Sequence, residues 1–201
     1  RGESHFSDRA VSLVRTPDYP QYGIRTENRR AAFRIAYSLF DKIAFFIREY
    51  YGLKQPEQHT YFRSVWFENP RSATKTPHAN FVDAPWPVSG LYWLSRDVFD
   101  DSEEFAEALE PEAQQLHEIR NHLEHRYLKI HGEDWSPIDG DEWTLASFGV
   151  DGLSYSIMAS DFAAKCLRLI SLVRHAIILL TLGIGMVESQ RRASSRGNVV
   201  P

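Results

Sequence analysis

Apolar side chains recur at spacings of three and four through residues 27–51, at Phe33, Ala36, Phe40, Ala44, Ile47 and Tyr51. A helix period near 3.6 residues gathers such positions into one buried stripe, and Gly52 supplies the stop. The pattern predicts three more helices. One covers residues 88–109, with a break near Asp100 and Asp101. Another starts at Pro111, favoured at a first helical position, with Glu110 and Glu112 suited to its N-terminal dipole and Gly132 at its end. The last runs over residues 161–190, with Ser160 or Asp161 as N-cap. Its uncharged stretch AIILLTLGIGMV, Ala176 to Val187, is shorter than the roughly 20 apolar residues a membrane span needs. Arg168, Arg174 and His175 interrupt the apolar residues before it. The reading is a central core helix, apolar nearly all round, and no membrane partner.

Two irregular regions separate the helices. Residues 53–86 hold prolines, His59, Trp66 and Trp86 without a helix period, and loops of that length are often functional. Residues 132–158 carry Trp135, Pro137 and three further glycines, and the alternation of Leu153–Met158 predicts a small β-hairpin with Thr144–Phe148. The expected fold is all-α, a bundle of four or five helices with long loops. Residues 1–26 read as an N-terminal extension or the remnant of a preceding domain, 27–190 as the bundle, and 191–201 as a disordered Arg/Ser-rich tail. The chain begins with Arg1 and shows no signal peptide, so it reads as a piece of a longer or trimmed protein.

Composition narrows the function classes. A length of 201 residues, 43% hydrophobic, suffices for a sizeable core, and a formal net charge of −4 does not mark a general nucleic-acid binder. A phosphate backbone would need a local basic patch. The first helix offers one: Arg25, Arg29, Arg30, Arg34, Lys42 and Arg48 face only Glu27 and Asp41 in sequence. Arg30 and Arg34 are its candidate substrate contacts, against the alternative of a solvated, partly ion-paired face. Residues 97–118, by contrast, carry nine acids and no Lys or Arg. The lone cysteine, Cys166, excludes an internal disulfide, reads as a buried small hydrophobe and fits a reduced, cytoplasmic setting.

The densest chemistry lies in EIRNHLEHRY, Glu118 to Tyr127. On a helical wheel Leu116, Ile119, Leu123, Tyr127 and Ile130 share a stripe roughly 80° wide. Arg120, Glu124, His117, Asn121 and His125 fan out beside it. Asn121 and His125 are i,i+4 neighbours, as are Arg120 and Glu124, so the amide can orient the imidazole and the charges can pair. His122 falls on the opposite face and reads as surface. A solvated helix face is the plain alternative for the whole sector. A zinc site does not fit, because the two histidines of HEIRNH are five residues apart where His-Glu-x-x-His needs four.

Arg120, four intervening residues and His125 resemble the Arg-(four to six residues)-His signature of HEPN domains (higher eukaryotes and prokaryotes nucleotide-binding). Asn121 stands where that family often has a polar residue. The helix number and the late placement of the motif are similar to a HEPN bundle over residues 27–190. AFRIAYSLFDKIAFF and GLYWLSRDVF resemble a bacterial HEPN subgroup often fused to helical repeats. The long 53–86 and 132–158 regions exceed a minimal HEPN bundle.

The resemblance implies metal-independent endoribonuclease activity without a cofactor. The RNA 2′-hydroxyl attacks its phosphodiester, giving a 2′,3′-cyclic phosphate and a free 5′-hydroxyl. In that scheme His125 is the general acid/base, Arg120 the clamp on the phosphorane charge and Asn121 the orienter. His117 and Glu124 border the substrate. The resemblance also implies a homodimer with a composite cleft, and the apolar last helix would supply part of its interface through Leu179, Leu182 and Met186. It further implies a toxin or antiviral defence role under a fused or partner sensor or antitoxin. Tyr127, two residues past His125, fits the extended motif of HEPN toxins silenced by adenylylation of that Tyr, although the wheel puts it in the core stripe. Non-catalytic nucleotide or RNA binding and structural dimerisation are the competing classes.

Overall fold

The computed structural model describes residues 20–70, 72, 75–99, 112–132 and 154–197. They form four α-helices, α1 (Ile24–Tyr51), α2 (Trp86–Phe99), α3 (Ala113–His125) and α4 (Ala159–Gly197). A two-stranded parallel sheet pairs β1 (Tyr127–His131) with β2 (Ser154–Met158). The helical class is as expected. The expected break near Asp100, the start of the third helix at Pro111 and the proposed partner strand Thr144–Phe148 lie outside the described residues.

The chain forms two units. Unit 1 comprises residues 1–36 and 114–170, unit 2 residues 37–113 and 171–201. α1 and α4 each contribute residues to both units. In unit 1 the core gathers Phe33, Leu116, Ile119, Leu123, Ile130, Phe162 and Leu169, all buried. Phe33 stacks on Phe162 with ring centroids 5.8 Å apart. Cys166 is buried there too, its thiol donating to the Arg29 carbonyl at 3.7 Å, and burial pushes its pKa up to about 11.

The end of α3 departs from the helical reading. α3 stops at His125, and Tyr127–His131 is a strand, in register with β2 from Tyr127↔Ser154 to His131↔Met158. Leu123, Tyr127 and Ile130 satisfy a helical spacing, but Leu128 and Ile130 also satisfy the alternation of a strand, and both are buried. The partner strand decides between them. Leu153–Met158 was expected in an antiparallel hairpin; its Ser154–Met158 portion instead pairs parallel with the segment after the motif helix. His131, fully buried, places Nε2 3.1 Å from the Ser156 hydroxyl.

Unit 2 packs the region that reads as irregular in sequence. α1 ends in a Schellman turn: Gly52 takes φ +63°, Leu53 N–H donates to the Arg48 carbonyl at 2.9 Å and Gly52 N–H to that of Glu49 at 3.2 Å. Beyond it Phe62, Val65, Trp66 and Phe67 are buried. The Phe62 ring lies 5.2 Å from Phe40 and 5.9 Å from Phe99, and Trp66 lies 5.7 Å from Tyr92. The Trp66 indole donates to the Phe62 carbonyl at 2.7 Å and Ser95 Oγ to the same oxygen at 3.2 Å. The described residues of 53–86 thus form a packed cap with two short 3₁₀ turns, not an open loop.

α4 corrects two expectations. It continues through Arg191 to Gly197, so the first part of the tail expected to be disordered is helical. It is also not apolar and buried all round. Phe162, Leu169, Leu172, Val173 and Ala176 are buried, whereas Leu167, Ile170, Ile177, Ile178 and Leu182 are exposed. By length and composition alone the helix is apolar enough to cross a membrane, with a window of mean hydropathy 2.0.

Two glycines of α4 have different reasons to be there. A Cβ on Gly183 would sit 2.7 Å from Val88 Cγ2, so the N-terminal turn of α2 approaches closely at that point, whereas a Cβ on Gly185 meets nothing within 4 Å. Gly185→Ala is expected to stabilise the protein by about 0.5–1 kcal/mol, the helix-interior difference between the two residues. Gly183→Ala is expected to lose that gain to the Val88 clash and to lower the denaturation midpoint. Paired chemical denaturation of the two variants checks both signs. Cys166 should resist thiol labelling at pH 8 until the chain is unfolded. Its folded pKa lies above the ordinary 9.0, so its stabilising contribution is present below pH 9 and is lost as pH rises through about 11.

Candidate active site

Arg120 and Asn121 are half-buried on the penultimate turn of α3, and His125 is its last residue and exposed. The Arg120 guanidinium donates from Nη1 to Asn121 Oδ1 at 3.2 Å. The amide therefore steadies the arginine fork, where the sequence suggested that it orients His125. Glu124, exposed, pairs with Arg34 at 3.3 Å. His117 is exposed one turn before Asn121.

Arg34 and Arg30 do more than lie on a basic flank. The last carbonyls of a helix lack intrahelical donors. Arg34 Nη2 donates to the Leu123 carbonyl in the last turn of α3, where a cation also complements the helix dipole. Arg30 donates to the Leu128 carbonyl in β1 at 2.9 Å and to Glu27 at 2.7 Å. Gln21 N–H donates to the Ile130 carbonyl at 2.6 Å, beside an isolated bridge between Pro20 and His131. The helix-to-strand junction that carries His125 is thus held from three directions. Arg29 and Arg48 share the same habit, donating to the Ala159 carbonyl at 3.5 Å and the Gln55 carbonyl at 2.8 Å.

His122, expected on the surface, is half-buried. Its Nδ1 lies 2.8 Å from the Glu118 carbonyl, and its ring lies against Tyr155 of β2 with centroids 5.3 Å apart. The Tyr155 phenol is pushed up by burial first, then by the negative charges of Glu118 and Asp161, so it remains a neutral donor. Sequence reasoning missed this pair because the parallel register that brings Tyr155 opposite Leu128 carries no local signal. No group of three or more His, Cys, Asp or Glu among the described residues is placed to hold a metal.

The model of a domain family described as LA2681-like HEPN matches residues 1–186. The chain belongs to that family. No curated relative and no solved structure matches it. The HEPN match begins at Arg1 and so takes in residues 1–26 as well as the bundle. Membership gives this HEPN domain a nucleotide- or RNA-related role in general terms.

Within the HEPN fold the structure brings Arg120, Asn121, Glu124 and His125 onto the last two turns of one helix and sets Arg34 against Glu124. Tyr127 departs from the wheel. As the first residue of β1 it is 70% exposed, because the strand turns it out while Leu128 turns in. Arg34→Ala is expected to cost about 1 kcal/mol, a charged hydrogen bond discounted for its solvent exposure. Glu124→Gln should change stability by less than about 0.5 kcal/mol, as surface ion pairs do. Urea midpoints of the two variants measure the difference.

Proposed function

We propose that this HEPN domain is a metal-independent endoribonuclease. The observation that carries the reading is the placement of the Arg-x4-His motif: an arginine steadied by its neighbouring amide and an exposed histidine at the end of one braced helix. His125 takes the proton of the RNA 2′-hydroxyl as its oxygen attacks phosphorus. The bond from phosphorus to the 5′-oxygen breaks, and that oxygen is protonated as it leaves. The products are a 2′,3′-cyclic phosphate and a 5′-hydroxyl. Arg120 neutralises the charge that builds on the non-bridging oxygens. Asn121 keeps the fork turned, and His117 and Glu124 border the strand. The biological role is that of a toxin or defence effector under a sensor or antitoxin. The exposure of Tyr127 supports adenylylation as the silencing step, because its side chain stands in solvent two residues past His125.

The active unit is a homodimer with motifs from both copies framing one cleft. The exposed apolar stripe of α4 supports this: Leu167, Ile170, Ile177, Ile178 and Leu182 fall on one side of the helix and need cover. Of the residues expected at the interface, Leu182 and Met186 are exposed and Leu179 is half-exposed.

Cleavage of bulk RNA in EDTA tests the chemistry. His125→Ala and Arg120→Ala should each lower the rate about 10²–10⁴-fold with an unchanged circular dichroism spectrum. RNA binding without cleavage by the wild type would leave a binding module instead. Sedimentation tests the assembly. Ile178→Glu together with Leu182→Glu should give monomers that no longer cleave, and a wild-type monomer that cleaves at nanomolar concentration would overturn the shared cleft.

A further inference from the structure

The far end of α4 reads RRASSR, Arg191 to Arg196, and every residue from Ser189 to Ser195 is exposed. The family match ends at residue 186, so HEPN membership does not explain this segment. Its tie to the rest of unit 2 is Tyr50, in the last turn of α1. The Tyr50 hydroxyl donates to Glu188 Oε1 at 2.5 Å. Arg191 Nη1 donates to the same carboxylate oxygen at 3.0 Å and to the Tyr50 hydroxyl oxygen at 3.2 Å. The Arg191 guanidinium also lies over the Tyr50 ring, 5.0 Å from its centroid. Burial, then the bond to Glu188, push the phenol up to about 12, so it stays a donor at neutral pH. The Tyr50 hydrogen bond, first among its causes, holds the Glu188 carboxyl below its usual range, so it stays an acceptor.

Past Arg191 the described side-chain hydrogen bonds are local. Ser194 and Ser195 turn their hydroxyls back on the Gln190 and Arg191 carbonyls, at 3.1 and 2.9 Å. Such back-bonding and the modest helix propensity of serine make the last turns easy to unwind. Ser194 therefore stands exposed near a helix end, three residues after Arg191 and two after Arg192. A serine kinase whose substrate groove carries carboxylates reads that charge pattern. Arg191 and Glu188 are both more than a third exposed, so such carboxylates replace their pairing at little cost.

We propose that Ser194 is a phosphorylation site for a kinase of this class, and that its phosphate draws Arg191 away from Tyr50 and Glu188. The Ser194 oxygen attacks the γ-phosphorus of ATP. An oxygen–phosphorus bond forms, the bond to the β,γ-bridging oxygen breaks, ADP leaves, and the hydroxyl proton passes to a base of the kinase. Residues three apart on a helix are neighbours, so the new group stands beside Arg191. Its charge of about −1.5 to −2 and three acceptor oxygens outcompete one carboxylate. It also lies near the C-terminal end of α4, where the helix dipole disfavours negative charge. Both effects loosen the same end of the helix. The site does not rest on cleavage at the Arg-x4-His motif.

The folded full chain, incubated with magnesium, ATP and the catalytic subunit of cyclic-AMP-dependent protein kinase, tests both halves. Peptide mass spectrometry should find phosphate chiefly on Ser194. Arg192→Gln, which leaves Tyr50, Glu188 and Arg191 in place, should slow modification at least about tenfold. Amide hydrogen exchange should be about two- to fivefold faster in the phosphorylated chain over residues 187–193 and the last turn of α1, as for the loss of an exposed ion pair. Unmodified Arg191→Ala should show the same acceleration, and Ser194→Ala should show none. Absence of phosphate on Ser194, a majority of it on Ser195, modification of Arg192→Gln at the wild-type rate, or exchange unchanged by the phosphate would each overturn the proposal.

Discussion

A helix that ends against a core must find donors for its last carbonyls, and in this chain α1 supplies them to α3. The Leu123 carbonyl takes Arg34 and the Leu128 carbonyl takes Arg30, on either side of the bend at Arg126. This lets α3 stop at His125 and the chain leave as a strand without stranding polar backbone in unit 1. Three features of the site depend on that exit: β1 can pair with β2, His125 stands at the exposed helix end, and Tyr127 turns outward. Surface ion pairs are worth little by themselves. The guanidinium contacts here matter for where they hold the backbone more than for the Arg34–Glu124 attraction.

Unit 2 solves a different problem. Residues 53–86 have neither helix nor strand period, yet they bury Phe62, Val65, Trp66 and Phe67. Aromatic rings in edge-to-face contact fill irregular space, and the indole and hydroxyl donors of Trp66 and Ser95 satisfy a carbonyl that no helix or strand pairs. The cap leaves a basic, ring-lined hollow at its side.

The basic flank of α1 takes on another meaning once its partners are known. Arg29, Arg30, Arg34 and Arg48 all reach backbone carbonyls. Part of the positive charge that suggests a phosphate track in the sequence is therefore employed inside the fold.

The sequence alone determined much of this protein. Period fixed α1 from Phe33 to Ile47, glycine fixed its end, and Leu116, Ile119 and Leu123 marked the buried side of α3, which in turn placed Arg120, Asn121 and His125 outside the core. Those are local quantities: spacing along one helix and the left-handed freedom of one residue. Tertiary structure decided the rest. Whether Tyr127–His131 continued the helix depended on a parallel partner more than twenty residues away, and the same residues satisfy both periods, so no local pattern could choose. It decided that Asn121 holds Arg120, that His122 meets Tyr155, and that α4 shows an apolar face. Each of these rests on which surfaces meet, a property of packing between distant segments that hydrophobic spacing within one segment does not contain.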